Sequence, residues 1–227
     1  MIEIAVLIPT LGRAGLLEGL LHNLAEATPR HYCNPVFVLD RDDQESLEVV
    51  EELYRRPGQL LSWIISDGTY PQKINAGLRA TVEPFVLPTA DDVRFYEGWL
   101  EAVTTAFEDE RVQVVGTDDL SPSTANRDHA TMPILRRSYI ESPGAVWGEI
   151  GTVFHEGYRH NFCETELWQL AVRRGVTAWA EGAVIEHLHP AWGKRAEDAT
   201  DEKGNKQGWE EDEARFRSRM AEWCRRA

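Results

Sequence analysis

The sequence predicts an α/β domain, with a mostly parallel central sheet flanked by helices and a C-terminal amphipathic helix. Two observations predict it. Short apolar runs alternate with segments whose apolar residues recur at helical spacing, the pattern of strands connected through covering helices. The chain also has 227 residues, 42% of them hydrophobic and 27% charged, which suits a single α/β domain with a sizeable core.

The elements follow in order. Ile4 to Ile8 is a continuous apolar strand ending at Pro9-Thr10. Leu16, Leu17, Leu20, Leu21 and Leu24 then mark a helix. Val36 to Leu39 is a second strand, ending at Asp40. Asp43 is placed to cap the next helix, whose core face reads Leu47, Val50, Leu53 and Tyr54. Leu60 to Ile65 is a third strand, and a helix from about Gln72 to Ala80 precedes the fourth, Phe85 to Leu87. Trp99, Val103, Ala106 and Phe107 form a further helix, and Val112 to Val115 a fifth strand.

Beyond Gly116 the pattern loosens. Thr117 to Met132 reads as a polar loop and Thr131 to Leu135 as a strand, while Gly144 to Asn161 has no clear assignment. Glu164 to Arg174 is helical, with Val176 to Ala180 and Ala183 to Leu188 as late strands. Lys194 to Gly208 reads as a mobile polar linker. Trp209, Phe216, Met220 and Trp223 are spaced for a last helix packing back on the domain. One domain is expected over 1–227: a ligand-binding half to about residue 92, a second half over about 93–193, and linker plus helix over 194–227.

No stretch approaches the ~20 apolar residues that span a bilayer, so no membrane insertion is expected. Met1-Ile2-Glu3-Ile4 enters a strand pattern without a basic leader, and three sparse cysteines (Cys33, Cys163, Cys224) suit reduced thiols; together they predict a cytoplasmic protein. A net charge of −14 offers no general attraction to nucleic acid or anionic lipid, and disfavours a polyanionic ligand unless a metal screens it.

Phe85-Val86-Leu87 runs into Pro88-Thr89-Ala90-Asp91-Asp92, placing two carboxylates at a strand end, where open α/β sheets bind ligands. Adjacent carboxylates repel unless a cation or hydrogen bonds lie between them, and a hard divalent metal is the natural partner. The alternative is a helix N-cap pair. Asp40, at the end of the second strand, suits a nucleobase or ribose, or a turn. Thr10 and Arg13 suit a nucleotide at the end of the first strand, although Arg13 also suits a solvated helix start. In Lys73-Ile74-Asn75-Ala76-Gly77, Lys73 and Gly77 share a helix face; Gly77 permits close packing and Lys73 can reach a phosphate. His187 and His189 point to one face of an extended segment, as metal ligands at a strand end would. Glu164 and Glu166 are acids at a helix start, favourable there in any case, and one of them can act as a general base.

In this order the pieces resemble the Rossmann-like GT-A glycosyltransferases, particularly small inverting enzymes of the family 2 type. They are Val6-Leu7-Ile8-Pro9-Thr10 with Arg13, Asp40, Lys73 to Gly77, Thr89 to Asp92, Cys163 to Leu167, and Glu186-His187-Leu188-His189-Pro190, and they cover about residues 4 to 190. The resemblance implies a donor site of Thr10, Arg13, Asp40, Lys73, Asn75 and Asp91. It also implies Mn2+ or Mg2+ on Asp92 or Asp91 with His187 or His189, and Glu164 as base. Thr89 departs from the family's usual Asp-x-Asp, which shifts the metal towards Asp92; Cys163 departs at the base motif.

The implied reaction moves a sugar, with inversion, from a nucleotide-sugar donor, UDP by analogy alone, to an acceptor hydroxyl. The acceptor is left open among a saccharide, a modified nucleobase in DNA and a protein side chain. Thr117 to Met132 and Gly144 to Asn161 are expected to line its site, with Asp118, Trp147, Glu166 and Trp192 as contacts. Two alternatives remain: a sugar nucleotidyltransferase, for which Leu11-Gly12-Arg13-Ala14-Gly15 is a thin triphosphate loop, and a non-catalytic nucleotide- or carbohydrate-binding module.

Overall fold

A computed structural model describes residues 2–28, 32–201 and 208–226. The first strand, β1 (Ile4–Thr10), is buried along its whole length. Side chains of a strand alternate between faces. Ile4, Val6 and Ile8 therefore pack with α1 (Ala14–Ala27), α2 (Gln44–Arg55) and α4 (Trp99–Ala106). Ala5 and Leu7 pack on the opposite side with α3 (Tyr70–Arg79), α5 (Arg137–Glu141) and α6 (Cys163–Arg173). The two cores sandwich one sheet.

The remaining strands are β2 (Cys33–Leu39), β3 (Ser62–Ile65), β4 (Phe85–Pro88), β5 (Val93–Phe95), β6 (Val114–Asp118), β7 (Ile134–Arg136) and β8 (Thr177–His187). Their order in the sheet is β3-β2-β1-β4-β7-β6-β8-β5. The sheet is mixed, not mostly parallel. Its β3-β2-β1-β4 half is parallel, as the alternation of strands and helices predicts, but β7 runs antiparallel to both β4 and β6, and β5 antiparallel to β8. The reason lies in the connection. Parallel neighbours need a long crossover, whereas the polar loop after β6 returns the chain without a helix.

The two late strands are one, kinked at Gly182, whose φ of +84° suits glycine; the register against β6 shifts between Gly116 and Asp118. Strand β5 escapes the sequence because three residues carry no legible period. Tyr54, expected on the core face of α2, is 60% exposed, whereas Leu47, Val50 and Leu53 are buried.

Three features position the strand ends. A Cβ on Gly77 would lie 3.1 Å from Leu7 Cδ2 and 3.3 Å from Val38 Cγ2, so α3 lies close on the sheet and sets Lys73 beneath the end of β1. Strand β5 follows the central β4 by a short link yet sits at the edge of the strand order, beyond β8, so the sheet curls back. Asn23 of α1 holds that edge, accepting from Phe95 N at 2.7 Å and donating to its carbonyl at 3.0 Å.

The C-terminal helix α8 (Trp209–Arg226) packs back on the domain through Phe216 and Trp223, while Trp209 stays 48% exposed. Its Asp212 is fully buried. That carboxylate accepts three successive backbone N–H groups, from Arg159 (2.9 Å), His160 (3.0 Å) and Asn161 (2.9 Å). The loop leading into α6 is thereby tied to α8. Asp212→Asn replaces one acceptor with a donor facing a donor and is expected to cost about 2 kcal/mol in urea unfolding; a loss below about 0.5 kcal/mol, within the range of ordinary surface changes, would contradict the role of this clamp.

Candidate active site

At the carboxyl ends of β1 and β4 lies a cleft of about 700 Å³. Asp91 and Asp92 form its floor, in the link between β4 and β5, and both are 4% exposed. Asp91 is satisfied from β1: Thr10 Oγ1 donates to its Oδ2 at 2.6 Å and Arg13 to its Oδ1 at 2.8 Å. Asp92 is held by Arg195, whose Nε and terminal nitrogen reach Oδ2 at 3.2 and 2.6 Å, with Arg13 at 3.4 Å.

The other Asp92 oxygen, Oδ1, is buried and has no hydrogen-bond partner among the described residues. It faces His187 Nε2 at 3.3 Å. The antiparallel β5–β8 ladder makes this pair, since Val93 is in register with His187 and Leu188 N donates to the Asp92 carbonyl at 2.8 Å. The environments of the two aspartates push them apart. Burial raises Asp91 above the usual carboxylate range despite Arg13. Burial also opposes the charge on Asp92, but His187, Arg195 and Arg13 outweigh it and hold that carboxyl far below the range.

Among the described residues no set of three His, Cys, Asp or Glu is arranged to hold a metal. The Asp92 Oδ1–His187 Nε2 pair nonetheless fits a hard cation of the kind that uses one or two protein ligands and completes its shell with phosphate and water. His189 also lines the cleft, but its Nδ1 accepts from Ala191 N at 3.1 Å and caps the 3₁₀ turn Pro190–Trp192. Thr89 is turned inward, its hydroxyl on Met132 Sδ at 3.4 Å.

Glu164, in the first turn of α6, lines the cleft with Tyr70 and His160. Cys163 Sγ donates to Glu164 Oε2 at 3.1 Å and to the His160 carbonyl at 3.4 Å. Burial pushes the Cys163 thiol well up, so it remains a donor that orients Glu164. Burial pushes His160 below its ordinary value, which leaves it neutral near pH 7. His160 and Tyr70 line the cleft together with Glu164 and Asp92, their ring centroids 5.3 Å apart.

Several expected contacts lie elsewhere. Lys73 reaches the cleft but is ion-paired with Asp40, and its Nζ donates to the Thr10 carbonyl at 3.0 Å; Asp40 is not part of the cleft lining. Asn75 is fully buried and serves the 153–156 loop, accepting from Val153 N at 2.9 Å and donating to the Phe154 carbonyl at 2.8 Å. Glu166 is buried against Arg219 (2.8 and 2.9 Å) and Tyr158 (2.7 Å), so it anchors α8. Trp147 packs on Trp223 with ring centroids 6.2 Å apart. The Asp118 carboxylate closes a turn on Leu120 N at 2.8 Å.

Its neighbour Asp119 takes the cleft position instead. It is buried and accepts from Ser121 N, Thr124 Oγ1 and Thr131 Oγ1 at 2.9, 2.5 and 2.7 Å. Of the expected acceptor contacts, Trp192 lines the cleft, 42% exposed. His129, Arg159 and Asn161 line it from the two segments expected to do so, 117–132 and 144–161, and Trp209 of the last helix joins them.

The largest departure concerns residues 194–201, read from sequence as part of a mobile linker; residues 202–207 of that linker lie outside the described residues. Residues 194–201 are docked on the site. Arg13 binds Asp198 at 2.9 Å and Asp201 at 2.6 Å. Arg195 binds Asp201 at 2.6 Å. Thr200 Oγ1 donates to the Leu11 carbonyl at 2.7 Å, and Asp201 lies in the short helix α7 (Ala199–Asp201).

Comparison with solved structures bears on this geometry. The chain matches the mannosyltransferase PcManGT from Pyrobaculum calidifontis, solved with GDP-Man and Mn2+, at TM-score 0.66 and 16% identity over 89% of this chain and 67% of that one. The chain has a GT-A-like glycosyltransferase fold. It also matches S. aureus TarS 1-349 at TM-score 0.65 and 15% identity, over 82% of this chain and 60% of TarS 1-349. The match to TarS 1-349 in complex with UDP has TM-score 0.61 and 15% identity, over 81% and 59%. The chain therefore spans about 60% to two thirds of the length of these proteins. No protein-family model matches the sequence, and no curated protein does. No helix of the described residues is long and apolar enough to cross a membrane.

The latch on Arg13 and Arg195 has a pH signature. Burial opposes the charge of Asp201, but Arg195, the Asp198 backbone and Arg13 outweigh it and hold its carboxyl down to about 2. A depressed carboxyl stabilises the fold above its unfolded value of about 3.9 and loses that contribution as pH falls towards its folded value. The difference in Tm between wild type and Asp201→Asn is therefore expected to be constant above roughly pH 5 and to close on approaching pH 2. A difference that persists undiminished at pH 2 would contradict the assignment.

Proposed function

We propose that the chain is a divalent-metal-dependent glycosyltransferase that moves a sugar from a nucleotide-diphosphate donor to an acceptor hydroxyl with inversion. Supporting this reading above all is one observation: a buried Asp92 oxygen whose one contact among the described residues is His187 Nε2 at 3.3 Å, in the same cleft as the carboxylate of Glu164. The fold likeness adds weight, since one matched protein was solved with GDP-Man and Mn2+ and another with UDP. UDP stands first as carrier, with GDP as its rival.

In this reading Asp92 and His187 would hold Mn2+ or Mg2+, which would supply Lewis-acid stabilisation to the departing diphosphate. Thr10 and Arg13 fix Asp91 and with it the floor of the donor half, residues 1 to about 92. Glu164, aimed by Cys163, takes the proton of the acceptor hydroxyl as that oxygen attacks the anomeric carbon. A base on the face opposite the leaving group gives a single displacement and hence inversion. Neutral His160 and Tyr70 line the same cleft. Trp192 and Trp209, both partly exposed on the cleft, offer stacking faces for an acceptor.

A nucleotidyltransferase is disfavoured because Arg13, the one basic residue of the loop after β1, is already committed to Asp91, Asp198 and Asp201.

Calorimetric titration tests the donor half. UDP or GDP is expected to bind wild type at least about tenfold more tightly with Mn2+ than without, and Asp92→Ala is expected to lose that increment. Metal-independent binding that Asp92→Ala leaves unchanged would overturn the metal assignment. A screen of nucleotide-sugars by nucleotide release tests the base. Glu164→Gln is expected to lower turnover by about 10²–10⁴-fold, with nucleotide affinity retained. Undiminished turnover would remove Glu164 from the mechanism.

A further inference from the structure

Arg195 is bound to the very carboxylate that the metal reading requires. It places Nε and Nη2 on Asp92 Oδ2; Nη2 also reaches Asp201, and Nη1 is divided among Asp201, Asp198 and the Ala196 carbonyl. Arg13 is differently committed: it stands at the N-cap position of α1 and divides its donors among Asp91, Asp198 and Asp201, reaching Asp92 only at 3.4 Å. Four carboxylates (Asp91, Asp92, Asp198, Asp201) thus face two guanidiniums, a formal excess of two negative charges that one divalent cation matches.

The segment that carries Arg195 is also tied down through side chains that do not touch Asp92. Lys194 Nζ donates to the Leu120 carbonyl at 3.1 Å and pairs with Glu186 at 3.0 Å, while Thr200 holds the Leu11 carbonyl. The Arg195 side chain can therefore change partner without the segment leaving the cleft. A guanidinium fork takes a phosphate as well as a carboxylate, and a dication on Asp92 repels it.

We propose that Arg195 is a shared ligand, paired with Asp92 until it passes to the donor's diphosphate, and that it couples cation and nucleotide binding. The inference rests on the metal reading above. Cation binding alone works against the Arg195–Asp92 pair; with the diphosphate present, Arg195 gains a new partner. Linkage makes the coupling reciprocal.

The test is a binding cycle that needs no acceptor. Mn2+ affinity is measured by electron paramagnetic resonance without nucleotide, and UDP and GDP affinity by calorimetry with and without Mn2+, in wild type, Arg195→Ala and Arg195→Lys. In Arg195→Ala, Mn2+ alone is expected to bind about three- to tenfold more tightly, and nucleotide with Mn2+ about ten- to hundredfold more weakly. Arg195→Lys keeps the charge but not the fork and is expected to move both constants the same way by less.

A fall in both affinities would mark Arg195 as merely structural and overturn the proposal, as would unchanged nucleotide binding. If wild type shows Mn2+-dependent nucleotide binding and the variants do not differ from it, only this proposal fails. If wild type shows none, the metal reading fails and the proposal with it.

Discussion

The site depends on how the fold tolerates two consecutive buried carboxylates. Unit charges about 5 Å apart repel by roughly 3 kcal/mol at an effective dielectric of 20, before any cost of leaving water. Arg13 offsets this by binding Asp91 and approaching Asp92. That requirement fixes the surroundings: β1 must end beside β4 to deliver Thr10 and Arg13, and the β4–β5 link must turn both carboxylates inward. Strand β5 must then leave the sheet's centre for its far edge, where it pairs with β8. The same pairing carries His187 to Asp92.

The two aspartates consequently do different work. Asp91 is saturated by a hydroxyl and a guanidinium, and burial raises its pKa. Asp92 is strongly ionised, and among the described residues its second buried oxygen meets only His187 Nε2, at 3.3 Å. A buried charged oxygen whose one partner is a long contact to an imidazole is under-satisfied, at a cost of the order of 1–3 kcal/mol, which is the expected mark of an oxygen reserved for a ligand. Across the cleft, α8 contributes in an equivalent way, since Asp212 ties down the loop that carries His160 into the lining and leads to Glu164.

Much of this was legible in the sequence because it is local. Apolar periodicity gave the strand–helix alternation of the first hundred residues. Strand ends gave Thr10, Arg13, Asp91, Asp92 and His187, all of which the fold brings to one cleft. What escaped was non-local. Arg195, Asp198 and Asp201 sit in a polar tract with no period, and their partners lie some hundred to nearly two hundred residues away. Asn75 and Glu166 are polar residues in plausible motifs, yet buried groups need partners first, and theirs are a loop and a helix. Asp118 and Asp119 differ by one residue, and next to the register shift at Gly116 that residue decides which carboxylate meets the cleft.

In the proposed site Asp92 and His187 would jointly hold the cation that serves the donor's diphosphate. Electron–nuclear double resonance on the Mn2+–nucleotide complex addresses it most directly. The expected spectrum contains a nitrogen-14 coupling from one imidazole together with phosphorus-31 couplings, and His187→Ala removes the nitrogen coupling while the phosphorus couplings persist. Phosphorus couplings without nitrogen in the wild-type protein, or a nitrogen coupling that survives His187→Ala, would contradict it.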